Sequence, residues 1–320
     1  MNKKDRVRSY INQFKVEENQ TFIVTGANSG LGFSTTKHLI SLGAEVVMAC
    51  RNLNKAEDAK RLLLKSHPKA KILILEYDQA SFESIDQFVD IITNKYHHFS
   101  GLILNAGIFN PKKNLYTKDG FSLTVGTNYL GVYYLLKKLQ DQNIWDINFQ
   151  RRIVFIGSLS WHKINQLTKA YITDMKTSSA IKSYAHSKTL LGSLAYQLAK
   201  HEHNDDLYLP SYVKVLLMHP GVTSTNIVAS DQSSYPKWFS RLAKKALRIF
   251  VHSTEVASLG ILKLLLDSKS DEDMMVVPRG LFQISGYPTN KKYPKNLTHI
   301  DRTLISITQD IIDHKHRGVI

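Results

Sequence analysis

Short apolar runs alternate with stretches of helical periodicity from residue 21 to about residue 280. The runs at Thr21–Val24, Glu45–Ala49, Ile72–Leu75, Leu102–Leu104, Ile153–Ile156, Val213–Met218 and Met274–Val277 are rich in β-branched and other apolar residues and are bounded by Gly, Pro or charge, so they predict strands. Between them, Leu31–Leu42, Asn54–Leu64, Phe82–Tyr96, Phe121–Leu139, Ala185–Leu198 and Thr254–Leu266 place apolar residues three and four apart, which predicts helices. Val46–Met48 and Ile153–Ile156 are continuously apolar, as central parallel strands buried on both faces must be.

Strand–helix alternation with right-handed crossovers gives a parallel sheet with helices on both faces. The expected fold class is therefore α/β: a single doubly wound Rossmann domain over residues 17–284. Residues 1–16 read as a polar leader. Residues 285–320 read as a C-terminal tail, partly helical around Leu304–Ile312.

The 320 residues, 43% hydrophobic and 22% charged, have ordinary globular composition. Cys50 is the single cysteine, which excludes an intrachain disulfide and a thiolate metal cluster. No His/Cys/carboxylate cluster has metal-ligand spacing, so no metal is expected. The charged start, MNKKDRVRSYINQF, lacks an apolar segment of the signal-peptide kind, and no apolar run reaches the roughly 20 residues of a bilayer span. A soluble, cytoplasmic protein without stable membrane insertion is expected. The net charge of +15 is scattered along the chain. Zinc-finger spacing, aromatic RNA-binding motifs and basic heptads are absent, so nucleic acid is not an expected partner. Oligomeric state is left open, with a homo-oligomer among the outcomes.

Candidate chemistry lies where predicted strands end. Thr25-Gly26-Ala27-Asn28-Ser29-Gly30-Leu31-Gly32 joins the first strand to the first helix. Glycines there permit positive φ and close approach of a pyrophosphate, and the helix N-terminus favours its charge. The Gly-x-x-x-Gly-x-Gly spacing is neither the general Gly-x-Gly-x-x-Gly fingerprint nor a P-loop; alone it also suits any tight βα turn. Tyr184-Ala185-His186-Ser187-Lys188 puts Tyr184 and Lys188 on one helix face, where a nearby ammonium favours ionisation of a phenol whose ordinary pKa is about 10. Alone, that pattern is commonplace on exposed helices. It gains weight from Asn105-Ala106-Gly107 after the fourth strand and Ser158 after the fifth, since all these signals fall on the carboxyl edge where ligands bind. His186, outside the pattern, reads as a surface residue, and His162 and His219 read as lying near the pocket edge.

Taken together these segments resemble the classical short-chain dehydrogenase/reductase family, over roughly residues 17–280 and in family order. The resemblance implies a catalytic set of Ser158, Tyr184, Lys188 and Asn128, the last from Thr127-Asn128-Tyr129-Leu130-Gly131. It implies cofactor contacts from Thr25, Gly26, Asn28, Ser29, Gly30, Leu31, Gly32, Arg51, Asn52, Asp78, Asn105, Ala106, Gly107, Tyr184 and Lys188, and from Pro220, Gly221, Thr223 and Thr225 after the sixth strand. In that scheme Tyr184 exchanges the proton, Ser158 orients the carbonyl oxygen, Lys188 depresses the Tyr184 pKa and binds ribose, and Asn128 holds a water on the proton route. Within the family the look is that of retinol dehydrogenase-like and protochlorophyllide reductase-like members, on Ala49-Cys50-Arg51-Asn52, Thr117-Lys118-Asp119-Gly120-Phe121 and Asn128-Tyr129-Leu130-Gly131. A long insert between Ser158 and Tyr184 points the same way. Gly157 stands where a second serine is common, and Tyr129 where those relatives often carry histidine.

Arg51 occupies the place after the second strand where an acidic residue would favour NAD; a guanidinium there suits a 2′-phosphate, which implies NADP(H). Trp238, Leu242 and Ala246 recur at helical spacing within Ser224–Leu247, which predicts an apolar lid over a bulky or apolar carbonyl/alcohol substrate. The leading expectation is an NADP(H)-dependent oxidoreductase. The alternative from another class is a non-catalytic dinucleotide-binding regulator or scaffold, since a fold does not dictate a function.

Overall fold

The computed structural model describes residues 2–96, 98–109, 115–145, 149–164, 172, 179–201, 206–223, 253–298 and 303–316. Eight strands form one sheet: β1 (Thr21–Thr25), β2 (Glu45–Cys50), β3 (Ile72–Glu76), β4 (Gly101–Leu104), β5 (Arg151–Ile156), β6 (Val213–Met218), β7 (Met274–Pro278) and β8 (Pro288–Lys292). Their order is β3-β2-β1-β4-β5-β6-β7-β8. All pairings are parallel except that β8 runs antiparallel to β7. The order reverses at β1 and β4, which opens the crevice in which doubly wound folds bind ligands.

Helices α1 (Lys3–Ile11), α2 (Gly30–Ser41) and α3 (Leu53–Ser66), with α7 (Thr254–Ala257) and α8 (Leu259–Leu266) later in the chain, cover one face. On the other lie α4 (Phe82–Lys95), α5 (Gly131–Asp141), α6 (Ala180–Ala199), α9 (Lys295–Thr298) and α10 (Leu304–His316). Side-chain alternation divides each strand between the two cores: on β2, Val46, Met48 and Cys50 face one, and Val47 and Ala49 the other. Among the described residues, no helix is long and apolar enough to cross a membrane.

The first and last described helices are both built into this domain. Val7 and Ile11 bury one side of α1 in the core shared with α8, and Tyr10 packs against Phe14 and Tyr287. The boundary expected at 284 falls just before β8, which completes the sheet, and α10 buries Leu304, Ile305, Ile311 and Ile312. Two helices read as continuous are interrupted. Residues 254–266 form α7 and α8, and the helix expected from Phe121 begins as a turn at Leu123–Val125, widens to a π turn at Gly126–Leu130, and becomes α5 only at Gly131.

Candidate active site

Thr25, buried at the end of β1, ties the glycine turn to β4. Its hydroxyl donates to the Ile103 carbonyl (3.2 Å) and accepts from the amides of Asn105 (3.0 Å) and Ala106 (2.9 Å). Asn105 returns the bond, its Nδ2 donating to the Thr25 carbonyl at 2.7 Å. Its carboxamide thus braces the turn from behind. Gly26 (φ 65°) and Gly30 (φ 57°) take the left-handed conformation the turn demands. Gly32 is required by space: a Cβ there would lie 2.4 Å from the Gly26 carbonyl oxygen and 2.6 Å from Asn105 Nδ2. The first amides of α2 have no partner within the helix, and Ser29, its N-cap, spends no side-chain bond on them. Half-buried Asn28 and exposed Ser29 flank these donors, and Leu31 turns its side chain into the core.

At the edge of this cradle, Arg51 is exposed and its Nη1 lies 4.0 Å from Asp78 Oδ1. Asp78 also accepts from the Ala80 amide, and Asn52 caps α3 by accepting from Lys55. Neither was legible as a structural anchor.

The second half of the site gathers on β5, α6 and the π turn. Ser158 follows β5 and starts a 3-10 turn, Leu159–Lys163. Its Oγ accepts from the Ser160 hydroxyl (3.0 Å) and amide (3.2 Å), which leaves its own proton to be donated on the side of Tyr184. Burial pushes the Tyr184 phenol above its ordinary pKa, and the neighbouring Ser158 hydroxyl acts in the opposite direction. Lys188, one turn later on α6, is buried and donates to the Ile156 carbonyl at 2.8 Å; burial pulls its pKa down to about 8. Asn128 is fully buried: its Oδ1 accepts from the Ile108 amide (2.8 Å), and its Nδ2 donates to the Ile108 carbonyl (2.8 Å) and to Ser187 Oγ (3.0 Å). A Cβ on Gly107 would come within 3.2 Å of Asn128 Oδ1 and 3.5 Å of Lys188 Nζ, so these three positions converge.

Pro220, Gly221 and Thr223 follow β6 on the same edge; Thr225 and the expected Ser224–Leu247 lid lie outside the described residues. Gly221 (φ 72°) is pressed against the β7–β8 loop, where a Cβ would sit 2.2 Å from the Ile284 oxygen. His219 joins the two loops. It is wholly buried, its Nδ1 accepting from the Gly221 amide (3.2 Å) and its Nε2 donating to Gln283 Oε1 (2.8 Å). Phe282 and Gln283 take positive φ, 51° and 58°, and this left-handed pair carries Gln283 to His219. Chiefly through burial, His219 is held neutral with a pKa near 4. The folded pKa lies below the unfolded one, so this contribution is intact above about pH 6.5 and is lost as pH falls toward 4, amounting to about 3 kcal/mol. Urea midpoints measured across that window are expected to fall more steeply with acid in the wild type than in His219→Gln. Parallel curves would exclude the effect.

Several site residues were not legible. Ser160 supports Ser158, and Phe109 sets its ring edge-on to Tyr184 at 5.6 Å between centroids. Gln79, buried behind the site, donates to the Ala106 and Thr127 carbonyls. His186, expected at the surface, is buried because the whole inner length of α6 packs under the sheet. The two departures also find causes. The Trp161 ring fills the space beside Gly157, where a Cβ would be 2.0 Å from the indole, and Tyr129 reaches Thr308 on α10.

A family model described as short chain dehydrogenase matches residues 20–236. Human polyprenol dehydrogenase is 31% identical over 73% of this chain and 68% of its own length. The chloroplastic protochlorophyllide reductase of Chlamydomonas reinhardtii is 39% identical over 45% of this chain, but the match spans only 36% of that protein, about a third of its length. An uncharacterised protein from Mycobacterium paratuberculosis has the same fold, with a TM-score of 0.70, 21% identity, and coverage of 96% of this chain and 97% of that one. With the sheet order, the crevice and these matches in agreement, the chain belongs to the short-chain dehydrogenase/reductase family, whose members are oxidoreductases using a nicotinamide dinucleotide.

Proposed function

We propose that the protein is an NADP(H)-dependent oxidoreductase that interconverts an apolar or bulky carbonyl and its alcohol, with Tyr184 as the acid/base. The observation that carries this reading is the placing of Ser158 beside the Tyr184 phenol, on the same strand edge as the glycine turn, with buried Lys188 one turn further along α6.

The residues present fit a dinucleotide. The left-handed glycines and unpartnered first amides of α2 make a cradle for a pyrophosphate, with Asn28 and Ser29 beside it. Asp78 and Arg51 border the adenosine end, Asn105 and Ala106 stiffen the wall, and Gly107, Lys188, Pro220, Gly221 and Thr223 line the nicotinamide end. Bound there, the nicotinamide supplies or accepts the hydride. In the reducing direction Tyr184 gives its hydroxyl proton to the carbonyl oxygen, while Ser158 donates a hydrogen bond to that oxygen. Ser160, donating to Ser158, fixes the direction in which the Ser158 proton points. Lys188 binds the ribose and favours the phenolate as a cation. Asn128 holds a water that links Lys188 to solvent.

Apolar substrates are favoured by the Phe109 ring beside Tyr184 and by the similarity to a protein named for polyprenol. Turnover of NADPH with a graded set of aldehydes and ketones tests the class. Bulky apolar carbonyls are expected to have the highest kcat/KM, and a preference for small polar ketones would contradict it.

Arg51 carries the choice of cofactor. Its guanidinium is exposed and only loosely engaged with Asp78, so it is available to a 2′-phosphate. NADPH is expected to bind at least about tenfold more tightly than NADH, and Arg51→Asp to reverse the order, since a charged hydrogen bond contributes about 1.5–3 kcal/mol. Equal dissociation constants in the wild type would refute this.

A further inference from the structure

The π turn at Gly126–Leu130 is held from three directions by three consecutive residues. The Thr127 carbonyl accepts from Gln79 Nε2 at 2.6 Å. Asn128 grips both backbone groups of Ile108 and the Ser187 hydroxyl. Tyr129, fully buried, places its hydroxyl 2.6 Å from Thr308 Oγ1 on α10. The direction of the last bond follows from its surroundings: Thr308 donates its one proton to the Leu304 carbonyl at 2.7 Å, so Tyr129 donates and Thr308 accepts. A turn later Tyr133, also buried, donates to Gln309 Oε1 at 3.0 Å, and Gln309 Nε2 in turn donates to Asp313 at 2.8 Å. Two tyrosines four apart are thus clasped by neighbouring residues of α10.

A π turn widens the helical ladder and loosens its backbone bonds, and such turns are common at functional sites. Its shape here depends on what its side chains hold. Gln79 and Asn128 fix the side toward the site, and Tyr129 fixes the far side.

We propose that α10 is a positioning element of the active site: Thr308, through Tyr129, sets the π turn and with it the aim of Asn128. α10 lies beyond the residues 20–236 that match the family model. The inference rests on the reading that Asn128 serves the proton route. It has a structural consequence that does not depend on turnover, because the Ile108 amide is bonded to Asn128 Oδ1.

The test compares Thr308→Val, which keeps the shape and deletes the acceptor, with Thr308→Ser, which keeps the acceptor, and with Tyr129→Phe, a milder change that leaves Thr308 bonded to Leu304. Two readouts are followed on the full chain: hydrogen exchange of the peptide containing Ile108, and the pH profile of kcat with NADPH and an apolar aldehyde. Thr308→Val and Tyr129→Phe are expected to speed exchange at Ile108. They should also lower kcat about ten- to a hundredfold with a displaced pH profile and unchanged NADPH affinity, the scale of a small misplacement from a distant change. Thr308→Ser should restore both. Should Thr308→Val not fold, Tyr129→Phe carries the same two readouts. Unchanged Ile108 exchange overturns the inference, whether or not the wild type turns over. Faster exchange with an unchanged kcat and pH profile in an active enzyme overturns it too, since α10 would then hold the fold alone. A wild type without turnover defeats the functional reading instead, and Ile108 exchange still decides whether Thr308 sets the turn.

Discussion

Tyr184→Phe is expected to lower turnover by about 10²–10⁴-fold, the usual contribution of a positioned acid/base group, while NADPH affinity stays close to that of the wild type. The substitution removes one oxygen and nothing else. The ring remains packed edge-on against Phe109, and Lys188 keeps its bond to the Ile156 carbonyl. Ser158 retains both contacts from Ser160, so the 3-10 turn stays in place. The glycine cradle is untouched. Steady-state kinetics with a nicotinamide binding titration check both halves. Retention of more than about a tenth of the activity would remove Tyr184 from the acid/base role.

The second large effect is counterintuitive. Gly157→Ser supplies the second serine that the family resemblance leads one to expect, yet it is expected to destabilise this chain. A Cβ at this position would lie 2.0 Å from one indole carbon of Trp161 and 2.6 Å from the next. Trp161 has nowhere to retreat. It is fully buried, packs edge-on to His219 at 5.5 Å, and faces Gly192, where a Cβ would be 3.4 Å from its ring. Its carbonyl is also held by Asn296 of α9 at 2.6 Å. Overpacking of this kind typically costs 1–3 kcal/mol, and about the upper end is expected here because the contact is backbone against a trapped ring. Since Ser158 is the next residue, kcat should fall as well. A double-mutant cycle with Trp161→Ala, read from urea midpoints, isolates the clash. The serine should cost far less once the indole is gone. Equal costs in both backgrounds would show that Gly157 is required for its backbone, and the Trp161 explanation would fail.

How much of this was legible in the chain follows from where its apolar residues lie. The seven parallel strands stood out because each is continuously apolar or nearly so, as burial between two helical layers requires. β8, with the sequence Pro-Thr-Asn-Lys-Lys, is a polar edge strand and has no such pattern, so the tail that contains it read as an appendage. α1 is hidden for a similar reason: among the described side chains of this strongly charged helix, only Val7 and Ile11 are buried. α10 was visible as a helix, but the contacts that give it significance, Thr308 and Gln309 to Tyr129 and Tyr133, cross more than 170 residues and leave no local trace.

The site was legible in position more than in detail. Topology alone sends the ends of β1, β4, β5 and β6 to one edge, so Thr25, Asn105, Ser158 and Pro220 had to be neighbours. What each side chain does there depends on partners that sequence order does not reveal. Asn105 braces the turn, Ser160 orients Ser158, and His219 locks two loops together. The interruption of the helix before α5 was equally unreadable, because a π turn follows from the packing of Gly131 against the Gln79 carbonyl and from the bonds that grip residues 127–129.

In the proposed reaction this site moves a hydride between NADP(H) and a carbonyl while Tyr184 moves the proton. The most direct measurement uses NADPH deuterated at the reactive carbon of the nicotinamide, with a bulky apolar aldehyde, and analyses the product by mass spectrometry. One deuterium is expected on the product's carbinol carbon, formed by the wild type and nearly absent with Tyr184→Phe. NADPH that binds without ever passing its label to any carbonyl would contradict it and point to a dinucleotide-binding protein that does no chemistry.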